Sequence, residues 1–123
     1  MDTLRFLTPE NLEQIKMEFQ TPTFVYDEAT LRANAQAVKQ FPNAFGLNAR
    51  YAMKAAPTAA IIRIFHDEGL GIDASSGFEV ERAVRAGIGT ESISLSTQEF
   101  PEQFKYWVQD GVKVNLCSIH QIH

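Results

Sequence analysis

The sequence predicts an α/β fold with parallel strands, and two observations support that class. From Phe45 onward, short apolar segments typical of strands alternate with helical patterns, in a repeating unit of about twenty residues. Gly69, Gly87 and Gly111 stand where the helical patterns end, as C-terminal caps do. This alternation predicts a parallel sheet with right-handed crossovers. A (β/α) barrel and an open doubly wound sheet both fit it.

The N-terminal part of the chain is predicted to form a helix, a short strand and a second helix. Thr8 and Pro9 suit the cap and first turn of the first helix. Residues 24–26 predict the strand, and Asp27 caps a helix that runs to about residue 40. The apolar residues expected to face the core are Leu12, Ile15, Phe19, Leu31, Ala35 and Val38.

The rest of the chain is predicted to form four strands separated by three helices. The predicted strands are residues 45–54, 72–75, 92–96 and 112–117, and the predicted helices are residues 58–68, 76–86 and 101–109. The sequence has no low-complexity segment and no evident interdomain linker. We therefore expect a single domain.

Three of the predicted strands have one polar and one apolar face. The polar sets are Asn48, Arg50, Ala52 and Lys54; Asp73 and Ser75; and Ser92, Ser94 and Ser96. A parallel sheet covered on both sides is usually apolar on both faces. A barrel with a ligand at its mouth explains the polar face, and a wrong strand phase is the alternative.

Lys54 is the strongest candidate for chemistry, because it ends a predicted strand directly before a predicted helix. Parallel α/β folds open their active sites at that end of the sheet. A lysine buried there loses its charge more easily and can form a Schiff base with a carbonyl group. The alternative from the residues alone is a solvated lysine that simply ends the strand.

Composition excludes several classes of protein and site. The net charge is −4 and the eleven Lys and Arg residues are scattered, which disfavours nucleic-acid binding. Cys117 is the only cysteine, so we expect no internal disulfide. No apolar run is long enough to cross a bilayer and no signal-peptide pattern is evident, so we expect a cytoplasmic protein. His66, His120 and His123 lack metal-ligand spacing, and we expect no metal.

Three motifs, in this order, resemble the decarboxylases of amino acids that use pyridoxal 5′-phosphate (PLP) and have an alanine-racemase-like barrel. The diaminopimelate decarboxylases are the most similar group. The motifs are Thr-Pro-Thr-Phe-Val-Tyr-Asp at 21–27, Tyr-Ala-Met-Lys-Ala at 51–55 and Gly-Ile-Asp-Ala-Ser-Ser-Gly-Phe-Glu at 71–79. Ser-Leu-Ser-Thr-Gln-Glu at 94–99 and Val-Asn-Leu-Cys-Ser at 114–118 are looser matches.

The resemblance implies site residues. Lys54 would hold PLP through a Schiff base, Asp73 and Glu79 match acidic residues that line the family's active site, and Ala52 matches a small residue that leaves room for the cofactor ring. Two alternatives remain: Glu79 completes a capping-box pattern with Ser76, and Asp73 is an ordinary carboxylate at a strand end. At position 56 the family usually has asparagine and this chain has alanine.

The resemblance also implies a fold, a reaction and partners. Residues 1–123 would be a partial PLP-binding domain, with residues 45–123 forming the N-terminal half of a (β/α)8 TIM-type barrel. The intact protein would be a homodimeric lyase of lysine biosynthesis that decarboxylates a diamino acid, meso-diaminopimelate above all. The chain alone would be inactive and would self-associate through its open sheet edges. Alternatives are a decarboxylase of carboxynorspermidine, ornithine or arginine, a non-catalytic PLP carrier, and a half-barrel association module.

Overall fold

The computed structural model describes residues 6–122, and a parallel sheet of four strands forms its centre. The strands are β1 (Arg50–Ala52), β2 (Gly71–Ala74), β3 (Ile93–Thr97) and β4 (Lys113–Leu116). Their order in the sheet is their order in the chain, and all neighbours are parallel. A barrel requires this sequential order, whereas a doubly wound sheet reverses it at a switch point. The predicted α/β class and half-barrel arrangement are therefore confirmed.

Five helices accompany the sheet in the described part of the chain, and the last three connect successive strands. They are α1 (Pro9–Phe19), α2 (Glu28–Lys39), α3 (Ala59–Asp67), α4 (Gly77–Arg85) and α5 (Phe104–Gln109). The predicted caps are present, since Thr8 accepts a hydrogen bond from the Asn11 N–H at 3.2 Å and Asp27 accepts one from the Thr30 N–H at 3.0 Å. The three cap glycines have φ between +89° and +105°, which favours glycine over other residues.

The hydrophobic core lies between the sheet and helices α3 to α5. Alternate strand residues point toward these helices and are completely buried: Ile72, Ala74, Ile93 and Leu95. Ile62 of α3 and Val80 of α4 pack against them, also with no exposed surface. The predicted division of each strand into an apolar face and a polar face is therefore confirmed for β2 and β3. One face of the sheet is covered by helices, and the other carries the polar side chains.

Helix α5 is shorter than predicted and packs one large aromatic side chain into the core. Residues 101–109 were expected to be helical, whereas the helix begins at Phe104, three residues after Pro101. Trp107 is 8% exposed, and its indole N–H has no hydrogen-bond partner among residues 6–122. Pro101 packs so closely on the start of α4 that a Cβ on Gly77 would lie 2.7 Å from the Pro101 Cβ and 4.0 Å from Trp107 Nε1. This contact requires glycine at the first position of α4.

In the N-terminal part, both predicted helices form, but the predicted strand does not, and only one residue of the two helices is buried. Residues 24–26 form no strand, because no neighbouring strand lies beside them within the described residues. Helix α1 has no buried residue, and Phe19 is 63% exposed. In α2 only Ala35 is buried, whereas Val38 is 45% exposed. An apolar stripe is buried only against a partner surface, and in the described structure no residue of α1 is buried in this way.

The first barrel strand is much shorter than predicted. Residues 45–54 were expected to form one strand, but only Arg50–Ala52 pair with β2. Gly46 has φ +92°, which interrupts an extended chain, and Phe45 is fully exposed. Lys54 consequently lies in a 3₁₀ turn, Met53–Ala55, that follows the strand. The other three strands differ from their predicted bounds by only one residue at either end.

Helix α2 is tied to α3 by one ionic cluster. The Arg32 guanidinium contacts Glu68 Oε1 at 2.8 Å, and Gln36 Nε2 donates to Glu68 Oε2 at 3.2 Å. The hydrogen bond from Arg32 lowers the pKa of Glu68 below its ordinary value. The cluster attaches α2 to the outside of the barrel-type unit, on the side away from the polar face of β2 and β3.

The sheet is open at both sides in the described structure. Within residues 6–122, β1 pairs only with β2, and β4 pairs only with β3. An unpaired strand presents backbone donors and acceptors that another strand can use. The predicted self-association of the 123-residue chain rests on these open edges and stays a prediction.

Truncating Ile93 is expected to destabilise the fold by about 2–5 kcal/mol, because the side chain is completely buried at the centre of the sheet. The measurement is urea unfolding of Ile93→Ala. Ile122→Ala is the matched control, since Ile122 is 64% exposed and its truncation should cost less than about 0.5 kcal/mol. Equal losses for the two variants would contradict the assignment of the core.

Candidate active site at the carboxyl end of the sheet

Lys54 lies just beyond the carboxyl end of β1, in the 3₁₀ turn Met53–Ala55. Met53, the residue before it, is completely buried and anchors the turn in the core. The Lys54 residue itself is exposed, so the burial expected for it is absent from the described structure. Among residues 6–122 its ammonium group has no ion-pair partner. The backbone at Lys54 is therefore held in place, and the amine at the end of its side chain is accessible.

Tyr51 supports the turn that carries Lys54 from the opposite side of the sheet. Its ring stacks on Phe65 of α3, with ring centroids 4.2 Å apart. Its hydroxyl donates a hydrogen bond to the backbone carbonyl of Ala56 at 3.3 Å. Burial raises the pKa of Tyr51, so the hydroxyl remains protonated and able to donate at neutral pH. Although Ala56 lacks a polar side chain, its carbonyl still ties down the end of the turn.

A row of side chains crosses the polar face at the level of Ala52. The register pairs Ala52 with Asp73, Asp73 with Ser94, and Ser94 with Lys113. Side chains at paired positions of adjacent strands lie side by side on the same face. Ala52 is exposed and has only a methyl group, so open space lies beside Asp73. The predicted site residues Ala52 and Asp73 are thus neighbours, and Lys54 follows two residues after Ala52.

Asp73 is the centre of a hydrogen-bond network on this face. Ser94 donates to Asp73 Oδ1 at 2.6 Å, and Ser96 donates to the same oxygen at 3.1 Å. Asn115 Nδ2 donates to Ser96 Oγ at 2.8 Å. The network spans β2, β3 and β4, and Ser94 is 4% exposed. Asp73 is therefore more than an isolated carboxylate at a strand end.

Glu79 has a clear structural task at the start of α4. Ser76 accepts a hydrogen bond from the Glu79 N–H at 3.3 Å, which is half of the expected capping box. The Glu79 carboxylate accepts from the Ser75 N–H at 2.7 Å, one residue before the position that a standard box uses. The capping role is confirmed in this form. Because Ser75 directly follows β2, Glu79 also lies at the carboxyl end of the sheet, and its role in chemistry stays a prediction.

Gln121 was missed by sequence reasoning, and it braces the same end of the sheet. Its side-chain carbonyl accepts from the Cys117 N–H at 2.6 Å and from the Ser118 N–H at 3.1 Å. Its amide group donates to the Thr97 carbonyl at 2.9 Å, which links the ends of β3 and β4. Ser118 and Gln121 form a capping box, so the spacing Ser-x-x-Gln was the available signal. Tyr51 and Asn115 lie within the quoted motifs, but no spacing signalled their hydrogen bonds.

Neither of the two histidines within residues 6–122 forms a side-chain hydrogen bond with Asp73 or Glu79. His66 contacts the Leu70 carbonyl at 3.3 Å, His120 is exposed, and His123 lies outside the described residues. No group of three or more His, Cys, Asp or Glu side chains within residues 6–122 has the arrangement of a metal site. None of the helices described for this chain is long and apolar enough to cross a membrane.

The arrangement is suited to carbonyl chemistry at a primary amine. An accessible lysine at the carboxyl end of a parallel sheet can condense with an aldehyde when its amine is neutral. A carboxylate in the adjoining row, with a small residue beside it, offers a hydrogen-bond acceptor and room for a ring. Pyridoxal has an aldehyde, a ring and polar substituents, so these residues fit the pyridoxal part of PLP.

Comparison with known proteins indicates a pyridoxal-dependent family. Residues 29–122 match the family model described as the pyridoxal-dependent decarboxylase, pyridoxal binding domain. Diaminopimelate decarboxylase of Zymomonas mobilis is 33% identical over 116 residues, which cover 90% of this chain and 28% of that protein. Diaminopimelate decarboxylase of Bacillus subtilis is 41% identical over 78 residues, which cover 62% of this chain and 18% of that protein.

A solved structure shows the same fold. Lysine/ornithine decarboxylase of Vibrio vulnificus, solved with putrescine, superposes with a TM-score of 0.79 at 20% sequence identity. The match covers 94% of this chain and 33% of that one. The matched part of this chain therefore spans 28% and 18% of the length of these two curated relatives and a third of the structural one.

Removing the Tyr51 hydroxyl is expected to cost about 0.5–1.5 kcal/mol at pH 7, the usual worth of one hydrogen bond. Since the pKa of Tyr51 is raised in the folded state, its contribution is complete at neutral pH and is lost as the pH rises above about 10. Urea unfolding of Tyr51→Phe at pH 7 and pH 11 measures both effects, and the variant should lose less stability between these pH values. Tyr106→Phe is the control, because Tyr106 is 57% exposed. Identical pH dependence of Tyr51→Phe and the unmodified chain would contradict this role.

Proposed function

This chain belongs to the pyridoxal-dependent decarboxylase family, and we propose that the whole protein removes one carboxyl group from meso-diaminopimelate to give lysine. The observation that carries the activity is the accessible Lys54 amine directly after β1, beside the polar row of Ala52, Asp73 and Ser94. The substrate rests on relatives that are 31–41% identical and are named diaminopimelate decarboxylases.

Lys54 is proposed to hold the cofactor. Its turn is anchored by buried Met53 and by the Tyr51 hydrogen bond to the Ala56 carbonyl, so the backbone that carries the Lys54 side chain is held in place. When bound, PLP supplies an electron sink that stabilises the carbanion left by the loss of CO2. The protein orients the bond that breaks and supplies charge around it. With the cofactor bound, the Lys54 amine would also be the basic group of the protein at the end of β1 that could carry a proton.

Asp73, Ala52 and Glu79 are proposed to shape the site around Lys54. Asp73 accepts two hydrogen bonds from serine hydroxyls on one oxygen and can accept another from a bound molecule. Ala52 leaves space beside Asp73 for a ring. Glu79 is proposed to combine two tasks, fixing the first turn of α4 and contributing negative charge at the carboxyl end of β2.

The choice of substrate and the assembly are further parts of the proposal. The structural match to a lysine/ornithine decarboxylase is 20% identical and supports the fold, so the more similar relatives favour diaminopimelate. By resemblance, the whole protein is proposed to be a homodimer in the cytoplasm. In the whole protein, further structure beside the open edges of β1 and β4 would enclose the polar face.

The first test is a covalent label on Lys54. Borohydride reduction of the full-length protein with PLP is expected to leave a pyridoxyl group on Lys54, detected by peptide mass mapping. Lys54→Ala should lose the label and at least about 10³-fold of the rate of CO2 release from meso-diaminopimelate. Lys105→Ala is the matched control and should retain both.

A label on another lysine would overturn the assignment of Lys54. The substrate is tested in the same assay by offering meso-diaminopimelate, ornithine and arginine separately. Faster release of CO2 from ornithine or arginine than from meso-diaminopimelate would overturn the substrate but leave the reaction class intact.

The second test separates the chemical and structural tasks of the two carboxylates. Asp73→Asn and Glu79→Gln keep the shape of each side chain and remove its charge. If both act at the site, each variant should lower kcat by about tenfold or more, since a charged hydrogen bond is worth about 1.5 kcal/mol or above. For Glu79, a capping role alone predicts a stability loss of about 0.5–2 kcal/mol with unchanged kinetics. Steady-state kinetics and urea unfolding of the same samples distinguish the two results.

A further inference from the structure

The polar face of the sheet contains a directed chain of hydrogen bonds that ends on Asp73. Asn115 Nδ2 donates to Ser96 Oγ, so the hydroxyl hydrogen of Ser96 is available for a bond of its own. Ser96 uses it to donate to Asp73 Oδ1. Ser94 donates to the same oxygen at 2.6 Å, whereas its alternative acceptor, the Ile72 carbonyl, is 3.4 Å away. Both serine hydroxyls therefore converge on one oxygen of Asp73.

The other oxygen of Asp73 is left accessible. Asp73 Oδ2 has no hydrogen-bond or ion-pair partner within residues 6–122, and it is not among the buried unpartnered atoms of that region. It is therefore reached by solvent. Asp73 thus has one oxygen saturated by the protein and one presented to the open face of the sheet.

We propose that Ser94 and Ser96, supported by Asn115, are positioning residues that hold the Asp73 carboxylate in one orientation, with Oδ2 as the acceptor for an N–H or O–H group of the bound cofactor. The inference rests on the proposed function, because it assigns the ligand of Oδ2 to PLP. A buried serine such as Ser94 could otherwise satisfy its hydroxyl on the carbonyl of its neighbouring strand. The short bond to Oδ1 instead commits this hydroxyl to the carboxylate.

Orientation is the expected benefit of this arrangement. A carboxylate on a short side chain can rotate between staggered positions, and each rotation would move Oδ2 away from the ligand. Bonds from β3 on one side hold Oδ1, and the amide from β4 holds Ser96 in turn. Three neighbouring strands therefore fix one oxygen atom before any ligand arrives, which lowers the ordering cost of binding.

The test compares threonine with valine at position 94 in the full-length protein. Both replacements add a branch of the same shape, and only threonine keeps the hydroxyl, so any difference between them reports the hydrogen bond. The dissociation constant of PLP is measured for Ser94→Thr and Ser94→Val, with and without Asp73→Ala. We expect PLP to bind about tenfold more weakly to the valine variant, the factor for a hydrogen bond to a charged group. The difference should disappear when Asp73 is alanine.

Crystal structures of Ser94→Thr and of a double valine variant provide a second readout that is independent of activity. Ser94→Thr should keep the observed Asp73 rotamer, and the double variant Ser94→Val/Ser96→Val should show Asp73 turned to another rotamer or divided between two. Equal PLP affinities for Ser94→Thr and Ser94→Val, or an unchanged Asp73 rotamer without both hydroxyls, would overturn the inference. If these contrary results are obtained while the unmodified protein still takes up PLP at Lys54, only the positioning role fails. If the unmodified protein does not bind PLP at all, the proposed function fails and the inference fails with it.

Discussion

The parallel register of β1, β2 and β3 is the constraint on which the rest of the structure depends. Pairing Ala52 with Asp73, and Asp73 with Ser94, places one set of alternate residues on the open face. The same register sends Ile72, Ile93 and their neighbours under the helices. A slip of one residue would exchange the two faces, burying Asp73 and exposing isoleucines. The hydrophobic core and the candidate site therefore share a single cause.

The candidate site is built from structural devices that serve other purposes as well. Glu79 fixes the start of α4, Tyr51 fixes the turn after β1, and Gln121 joins the ends of β3 and β4. Each of them acts at the carboxyl end of a strand, where the backbone leaves the sheet. Of these bonds, the one from Tyr51 also holds the turn that carries Lys54. A site of this kind is precise because its supports belong to rigid elements.

Sequence reasoning succeeded where local chemistry decides the outcome and failed where a distant partner does. Caps at Thr8, Asp27 and Ser76 and the alternation of β2 and β3 were predictable, because each depends on neighbouring residues or on strand period. The strand at residues 24–26 and the long first strand were wrong, since pairing needs a neighbour that no local pattern reveals. In the candidate site, Lys54 and Asp73 were proposed from motifs, and their roles stay predictions. The bonds from Ser94 and Ser96 to Asp73, and from Asn115 to Ser96, depend on register and could not be read from spacing alone.

Trp107 gives the chain an internal reporter. It is the single tryptophan of the sequence, and it lies buried beneath Pro101 and the first residue of α4. All indole emission of the chain therefore comes from one apolar location, beside the helix that carries Glu79. A shift of that emission toward longer wavelengths would signal water entering this contact. Opening of the α4–α5 contact can thus be followed in an unlabelled sample by fluorescence alone.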